Sequence, residues 1–236
     1  MRLIEQHHLV EYITVDPLTA IEQVGRTCWR SEEKAGPGTA ARFVKMVIKK
    51  GHTGLLEHVH MRVRCWTNRG VSHELVRHRL ASYAQQSTRY VGEIDGHIEF
   101  IRPVWWNEWN KDLQKAFTWT LNGLEDAYKQ LLESGASRDQ AREILPNATA
   151  TEIVITANLR EWRESIFPLR ALGTTGKPHP QMQALAQGIL DDAKQRVPVV
   201  FDDLQFAPRQ PSRRQKADPL QPSTFNPQPP PQETTP

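Results

Sequence analysis

Arg77-His78-Arg79-Leu80-Ala81-Ser82-Tyr83-Ala84-Gln85-Gln86-Ser87-Thr88-Arg89 is a stretch that holds three arginines, a histidine and no carboxylate. Arginine is a permanently charged planar fork that matches phosphate and carboxylate groups, and serine or glutamine can complete such a shell with neutral hydrogen bonds. A solvated helix face is the alternative, although such a face typically alternates lysine and glutamate at helical spacing. The composition of residues 77–89 therefore favours a site for a phosphate-like anion.

The segments that precede this stretch predict a strand and then a helix. Residues 61–65 alternate strictly between apolar and polar types, which is typical of a half-buried strand with its arginines on one side. A helix is predicted to begin at Ser72, which would act as its N-cap, so that Arg77 and the residues after it lie in the helix or just beyond it. The apolar face of this helix would consist of Leu75, Val76, Leu80 and Tyr83.

The rest of the chain shows strand and helix patterns without an internal repeat. Residues 2–15 predict one or two strands that end at Asp16-Pro17, where Asp16 would cap a helix. One face of that helix would hold Ala20, Ile21, Val24 and Cys28. The interval 108–133 predicts a long helix because its apolar residues, from Trp109 to Leu131, form one stripe. Further helices are predicted around 43–50, 137–145, 159–170 and 180–196, and further strands around 97–103 and 149–156.

Composition divides the chain into a folded part, residues 1–206, and a tail, residues 207–236. The tail holds nine of the 17 prolines and few apolar side chains, which predicts disorder. It also carries four cations against two carboxylates, so the formal charge of +3 for the chain falls to +1 for the folded part. A nearly neutral folded part argues against a nucleic-acid-binding module, which would need a basic surface.

Cysteine content and hydropathy bear on the compartment. The two cysteines, Cys28 and Cys65, are too few for a disulfide framework, and charged residues interrupt any apolar run at the N-terminus. No segment approaches the roughly 20 apolar residues that a membrane span requires. We therefore expect a cytoplasmic protein without a membrane partner.

Two histidine groups raise the question of a metal. His73-Glu74-Leu75-Val76-Arg77 differs by one residue from the zinc-binding His-Glu-x-x-His helix, and a guanidinium in the last position cannot ligate a metal. The group His52, Glu57, His58 and His60 has ligand types but no recognised ligand spacing, so exposed histidines are the simpler interpretation. We expect no metal site. The chain also lacks a glycine-rich phosphate loop, so side chains would have to hold any nucleotide.

Several motifs of the chain together match one known family. Arg77-His78-Arg79 followed after seven residues by Ser87 resembles the Arg-His-Arg-(x7)-Ser signature of flavin-dependent thymidylate synthases. The resemblance covers roughly residues 1–206 in the family's order. The other matching elements are Gly51-His52 to Glu57-His58, Ala141-Arg142 to Leu145-Pro146, Asn158-Leu159-Arg160 and Leu169-Arg170.

The resemblance implies an activity and its requirements. The family makes dTMP from dUMP, with methylenetetrahydrofolate as carbon donor, NADPH as reductant and FAD as hydride carrier. It assembles as a homotetramer whose active sites combine residues of several subunits. The implied fold is α+β, with helices packed against a mostly antiparallel sheet, in agreement with the mixed order of predicted elements.

The resemblance also assigns roles to individual positions, of which Arg170 has the most chemical one. A guanidinium against the uracil edge would favour the N3-deprotonated or enolate-like ring, because a fixed cation meets the developing charge. Ser87 lacks an evident general base, so we expect it to bind and not to act as a nucleophile. The positions that would contact dUMP are Glu74, Arg77, Gln85, Gln86, Ser87, Thr88, Arg89, Arg142 and Arg170. Those that would contact FAD are His52, Gly54, Arg77, His78, Arg79, Leu80, Asn158, Arg160, Glu164 and His179.

Three departures from the family pattern leave an alternative open. Glu74 stands where a glutamine commonly contacts the nucleotide, and Gly54 stands where a serine or threonine often touches the flavin. The loop 173–178 is longer than expected between the Leu-Arg and His-x-Gln elements, which affects the match of His179. The alternative is therefore a catalytically impaired homologue that serves as a nucleotide-binding protein.

Overall fold

A four-stranded antiparallel sheet, in the order β2-β3-β6-β4, forms the centre of the fold. The computed structural model describes residues 1–89, 96–174 and 176–205. Two further short strands, β1 and β5, pair in parallel beside it. The strands are β1 (Arg2–Ile4), β2 (His7–Ile13), β3 (His60–Asn68), β4 (Ala81–Gln85), β5 (Glu99–Ile101) and β6 (Ala150–Asn158).

Helices cover one face of the sheet. The helices are α1 (Pro17–Trp29), α2 (Thr39–Lys49), α3 (Arg69–Leu75), α4 (Lys111–Glu133), α5 (Arg138–Ala141), α6 (Leu159–Glu161) and α7 (Pro180–Arg196). Short 3₁₀ turns lie at Glu32–Lys34, Thr53–His58, Trp106–Glu108 and Arg142–Ile144, and α6 continues as a π-helix over Trp162–Leu172. The predicted α+β class is thus confirmed, while the predicted disordered tail, 207–236, lies outside the described residues.

The central strand β3 shows why the sheet has one solvent-exposed face and one buried face. Its apolar residues Met61, Val63 and Cys65 are fully buried, as strict alternation predicted. Its arginines point to the other face, where Arg62 and Arg64 pair with Glu11 of β2. Arg64 also pairs with Glu152 of β6. Two arginines and two glutamates therefore link three strands across this open face.

The main core lies between the sheet and helices α1, α2 and α7 together with the π-helix. Trp162 is its largest fully buried side chain, and its indole Nε1 donates to the carbonyl of Met61 at 3.2 Å. The buried guanidinium of Arg163 binds both carboxylate oxygens of Asp203 at 2.6 Å, which fastens the segment after α7 to the π-helix. A second, smaller core packs α4 and α5 against β5 through Ile98, Phe100, Leu121, Tyr128 and Ala141.

The helix predicted from Ser72 to Tyr83 is wrong in both its start and its end. Helix α3 begins three residues earlier because Asn68 caps it, accepting a hydrogen bond from the Val71 N–H at 2.8 Å. It ends at Leu75, and Ala81–Gln85 forms strand β4 along the free edge of β6. Local propensity allowed a helix here, and pairing with β6 overrides it.

The first helix also departs from the prediction. Asp16 occupies the N-cap position in a left-handed conformation, with φ 45°, and its side chain does not cap the helix. The buried face of α1 is Ile21, Glu22 and Gly25, whereas Cys28 is exposed. At Gly25 the helix packs closely on α2, since a Cβ there would lie 2.5 Å from the Phe43 ring.

Helix α4 follows the predicted interval but buries less of its stripe than expected. It begins at Lys111 after the N-cap Asn110. Leu121 and Tyr128 are buried, together with the carboxylate of Glu125. Leu113 at the start of the stripe is 52% exposed, whereas residues from Phe117 to Leu132 pack against the small core, so the first turn of the helix lies outside it.

Candidate functional site

Arg170, on the π-helix, lies at the centre of a group that joins this helix to the end of α3. Its Nε donates to Nε2 of His78 at 2.9 Å. Its Nη1 donates to a carboxylate oxygen of Glu74 at 2.6 Å, and its Nη2 donates to the backbone carbonyl of Glu74 at 2.9 Å. Three hydrogen bonds thus fix the plane of a half-buried guanidinium.

His78 is buried beneath this guanidinium and is only 5% exposed. Its Nδ1 lies 3.1 Å from Oγ of Ser165 and 3.7 Å from a carboxylate oxygen of Glu161. An arginine nitrogen can only donate, so Nε2 of His78 must accept and Nδ1 must carry the proton. Burial, reinforced by the Arg170 charge, lowers the pKa of His78 to about 4, and the ring is therefore neutral at pH 7.

Tyr83 ties the turn between α3 and β4 to this group. Its hydroxyl contacts two backbone carbonyls, that of Leu75 at 2.7 Å and that of His78 at 2.9 Å. Burial raises the pKa of Tyr83 above its ordinary value, so the hydroxyl stays protonated and can donate. The turn then directs the side chains of Arg77 and Arg79 outward, where both are exposed and no described residue pairs with them.

Two glutamines lie at the end of β4, and each uses part of its side-chain amide in hydrogen bonds to neighbouring residues. Nε2 of Gln85 donates to Oγ of Ser72 at 3.0 Å and to Oγ1 of Thr151 at 3.1 Å. The backbone N–H of Gln86 donates to the carbonyl of Glu152 at 2.8 Å, and Oε1 of Gln86 accepts from the N–H of Glu152 at 3.3 Å. These bonds hold the start of the loop 86–89 against β6.

A second group of polar residues forms where the loop 86–89 meets α5. Arg142 donates to Oγ1 of Thr88 at 3.4 Å. Arg89 pairs with Asp139 at 2.9 Å, and its N–H donates to Oγ of Ser87 at 3.2 Å. Arg142 also lies 3.8 Å from carboxylate oxygens of Asp139 and Glu143. Two guanidiniums and two hydroxyls therefore meet at the surface beside two carboxylates, and these donors suit a phosphate group that displaces the carboxylates.

A third group surrounds Arg160 at the start of the helix that follows β6. Arg160 donates to Glu57 at 2.6 Å and to Glu164 at 2.8 Å. Burial alone would raise the pKa of Glu164, but hydrogen bonds from Arg160 and Thr53 outweigh it and lower that pKa. His52 lies beside this group with its ring exposed, 6.0 Å from the ring of Trp29.

Two of the predicted flavin contacts serve as helix caps in the structure. Oδ1 of Asn158 accepts from the Glu161 N–H at 2.8 Å, which caps α6. Nδ1 of His179 accepts from the Gln181 N–H at 3.2 Å, which caps α7. No described residue engages the amide NH₂ of Asn158 or Nε2 of His179, so both can take a further hydrogen bond.

Sequence reasoning missed Ser165, because of the π-helix. Ser165 precedes Arg170 by five residues, and α-helical geometry would turn the two side chains about 140° apart. In a π-helix, backbone hydrogen bonds join residues i and i+5. Here both Ser165 and Arg170 reach the same histidine, His78.

The sequence analysis gave Lys177 no role, because this residue lies in the loop 173–178, which is longer than the family pattern. Arg170 and Lys177 line an open cavity of about 230 Å³ together with Leu169, Gly176 and Pro178. Two cations thus face the same space, which suits an anionic or electron-rich ligand. The sequence around this lysine is rich in glycine and threonine and contains no motif that would have predicted a role in a binding site.

The described residues contain no group of three or more His, Cys, Asp or Glu side chains that could hold a metal ion. Within the same residues, every helix is too short or too polar to cross a membrane.

Comparison with known proteins gives a consistent set of matches. The family model described as "Thymidylate synthase complementing protein" matches residues 8–199. The flavin-dependent thymidylate synthase of Corynebacterium efficiens is 36% identical over 205 residues, covering 78% of each chain. That of Corynebacterium diphtheriae is 32% identical over 217 residues, covering 83% of this chain and 82% of the relative.

A solved structure shares the fold. It is the UMP/dUMP methylase PolB from Streptomyces cacaoi, crystallised with bound 5-Br dUMP. The TM-score is 0.71 at 18% sequence identity, and the match covers 85% of this chain and 95% of that chain. At this identity the likeness shows the fold alone.

Proposed function

The chain belongs to the family of flavin-dependent thymidylate synthases, and on that premise we propose that it converts dUMP to dTMP by reductive methylation. The observation that carries the proposal is the Arg170 guanidinium, which is fixed by three hydrogen bonds and faces an open cavity. Arg170 is the catalytic residue. It lies against the uracil edge and stabilises the N3-deprotonated or enolate-like ring as negative charge develops there.

The phosphate of dUMP binds at the group formed by the loop 86–89 and α5. The cations Arg89 and Arg142 and the hydroxyls of Ser87 and Thr88 supply its donors. Gln85 retains Oε1 and Gln86 retains Nε2 for the nucleotide, because no described residue engages these atoms. Arg77 and Glu74 complete the proposed set of contacts.

The residues expected to contact a flavin fit a dinucleotide. Arg77 and Arg79 are exposed cations suited to a pyrophosphate, and Leu80, 74% exposed, offers an apolar surface to a ring. Gly54 leaves room, since a Cβ there would meet no atom within 4 Å. FAD, when bound, supplies the hydride chemistry. The remaining proposed FAD contacts are His52, His78, Asn158, Arg160, Glu164 and His179.

Reductive methylation requires two co-substrates, and we propose methylenetetrahydrofolate and NADPH. A methylene group transferred to the pyrimidine must gain a hydride, which carries two electrons, to become a methyl group, and we propose NADPH as the source of those electrons. The chain's part is to bind and orient these molecules and to hold charge near the reacting ring.

We propose that the chain acts as a homotetramer with shared active sites. The three groups around Arg170, Arg142 and Arg160 lie on separate elements, and each is open to solvent on one side. Large exposed side chains such as Tyr12, Trp29 and Trp119 offer apolar surface for contacts between copies. Light scattering coupled to size-exclusion chromatography should give about four times the chain mass of 27.1 kDa. A monomer that makes dTMP would contradict shared sites.

The proposed setting is the cytoplasm, where thiols stay reduced. Both cysteines are free in the structure, with Cys28 exposed and Cys65 buried. Burial raises the pKa of the Cys65 thiol to about 12, so that thiol is inert.

Product formation by purified protein tests the function. The protein should be yellow, and it should convert dUMP to dTMP when given methylenetetrahydrofolate and NADPH. Arg170→Ala should abolish dTMP formation, because the fixed cation at the ring is lost, whereas Ser87→Ala should retain measurable turnover. Arg196→Ala, which removes an exposed arginine at the end of α7, is the matched control and should behave as wild type.

Two outcomes would contradict the proposal. Protein that cannot be loaded with FAD would rule out the flavin reaction. Protein that binds dUMP and FAD but forms no dTMP would support the impaired, nucleotide-binding alternative. If Ser87→Ala were inactive while Arg170→Ala kept normal turnover, the roles of these two residues would be reversed.

A further inference from the structure

We propose that Glu74 and Ser165 are positioning residues for Arg170: Glu74 moderates the charge that the guanidinium presents, and Ser165, acting through His78, sets its orientation. The inference rests on the proposed function, in which Arg170 meets the uracil ring. It concerns how this chain supports that arginine before the nucleotide binds.

Glu74 makes two of the three contacts that hold Arg170. Its carboxylate lies 2.6 Å from Nη1, and its backbone carbonyl lies 2.9 Å from Nη2. Both side chains are shielded, with 27% of Glu74 and 18% of Arg170 exposed. A carboxylate in this position offsets part of the guanidinium charge in a medium that screens less than water.

The contacts of Arg170 also determine what it has left for a ligand. A guanidinium has five N–H groups, and three of them are used by His78 and Glu74. With respect to the described residues, one N–H on each terminal nitrogen remains. Two such donors can meet a planar pair of acceptors, such as a deprotonated ring nitrogen and its neighbouring carbonyl oxygen.

Ser165 determines which nitrogen of His78 can accept from Arg170. With the proton on Nδ1 and directed to Oγ of Ser165 at 3.1 Å, Nε2 is free to accept from Nε of Arg170 at 2.9 Å. If the proton moved to Nε2, two N–H groups would oppose each other and this bond would be lost. Because Ser165 and Arg170 lie on the same π-helix, the imidazole bridges two points of one rigid element.

The titratable groups around Arg170 and His78 come from four elements. Glu74 lies on α3, Glu161 lies on α6 at 3.7 Å from Nδ1 of His78, and Tyr83 lies on β4. Lys177 faces the same cavity as Arg170 from the loop after the π-helix. The charge of Arg170 opposes a second proton on the imidazole, and Ser165 provides a neutral acceptor for the proton on Nδ1.

The test measures how readily the bound pyrimidine loses its N3 proton. The probe is 5-fluoro-dUMP, whose fluorine brings N3 ionisation into an accessible pH range, and the signal is its ultraviolet difference spectrum on the FAD-loaded enzyme as pH is raised. The variants are Glu74→Gln, Ser165→Ala and Ser165→Thr. Asp192→Asn, which removes a carboxylate that pairs with His8, is the matched control.

Each variant has a distinct expected result. Glu74→Gln keeps an acceptor but removes the charge, so the pH midpoint of N3 ionisation should fall. Ser165→Ala should raise the midpoint and lower kcat on the order of tenfold with a smaller change in KM, because a hydrogen bond to a charged group loses its support. Ser165→Thr retains the hydroxyl and should restore both values, and Asp192→Asn should match wild type.

The outcomes separate this inference from the proposed function. If wild type forms dTMP but Glu74→Gln and Ser165→Ala leave midpoint and kcat unchanged, the positioning roles are wrong and the function stands. A midpoint that rises in Glu74→Gln would overturn the charge role of Glu74. Wild type that does not bind the nucleotide would instead defeat the proposed function. If Ser165→Ala fails to fold, Ser165→Thr must still match wild type and Glu74→Gln must still lower the midpoint, or the inference is wrong.

Discussion

His78 has an unusual environment for a histidine, because it is buried and accepts a hydrogen bond from an arginine. Its pKa is lowered to about 4, against an ordinary value of 6.5 in an unfolded chain. Between these two pH values the unfolded state binds more protons than the folded state, so stability falls as the pH is lowered from 6.5 towards 4. A difference of this size corresponds to about 3 kcal/mol of unfolding free energy once the pH reaches 4.

A variant that cannot titrate should lose this dependence. His78→Asn keeps a polar side chain without a proton equilibrium, so its unfolding free energy should vary less than that of wild type between pH 6.5 and 4. Denaturant unfolding at several pH values measures the difference. His58→Asn removes an exposed histidine and should keep the wild-type slope. An equal slope in His78→Asn and wild type would show that His78 is not held neutral by the fold.

At the level of elements, helices α1 and α2 meet at a glycine. A Cβ on Gly25 would lie 2.5 Å from Phe43 and 2.9 Å from Leu55, both in side chains. Gly25→Ala should therefore destabilise the protein by about 1–3 kcal/mol, since the two helices would have to separate. Gly123→Ala in α4 is the matched control. A Cβ there meets nothing within 4 Å, and the change should stabilise the helix by roughly 0.5–1 kcal/mol.

Thermal or denaturant unfolding of both glycine variants checks this prediction. The double variant Gly25→Ala/Phe43→Leu should recover part of the loss, because a smaller side chain makes room for the added methyl group. Equal stability of Gly25→Ala and wild type would mean that α1 and α2 can shift apart without cost.

The elements also show where sequence reasoning succeeds and where it stops. Strand β3 and helix α4 were placed correctly because each keeps its own period. Strand β4 was taken for helix, since its five residues are stabilised by pairing with β6, which no local pattern reveals. The family resemblance assigned roles to His78 and Arg170 through two separate motifs, and the structure brings these two side chains into contact. Ser165 could not be found in this way, because an α-helical period separates it from Arg170 and the π-helix brings them together.

At the scale of the whole molecule, the last buried side chains of the described core lie close to residue 206. Val200 and Phe201 are fully buried, and Asp203 is bound by Arg163. The remaining residues, 207–236, are predicted from composition to be a disordered tail. A chain that ends at Phe206 should therefore keep the unfolding midpoint and the dTMP-forming activity of the full chain. Loss of either property in the shortened chain would assign the tail a role in folding or catalysis.

The open face of the sheet has a consequence for how the protein responds to salt. Its two arginines, Arg62 and Arg64, are balanced by Glu11 and Glu152, so this face carries no net charge from these residues. Dissolved ions screen electrostatic interactions over long distances. A face whose positive and negative charges cancel produces only a weak field at long distance, so salt has little effect on it. Arg77 and Arg79, by contrast, are exposed and no described residue pairs with them, so they would attract an anionic ligand from a distance and lose that attraction as ionic strength rises. Salt should thus weaken the capture of the nucleotide well before it disturbs contacts made through the sheet.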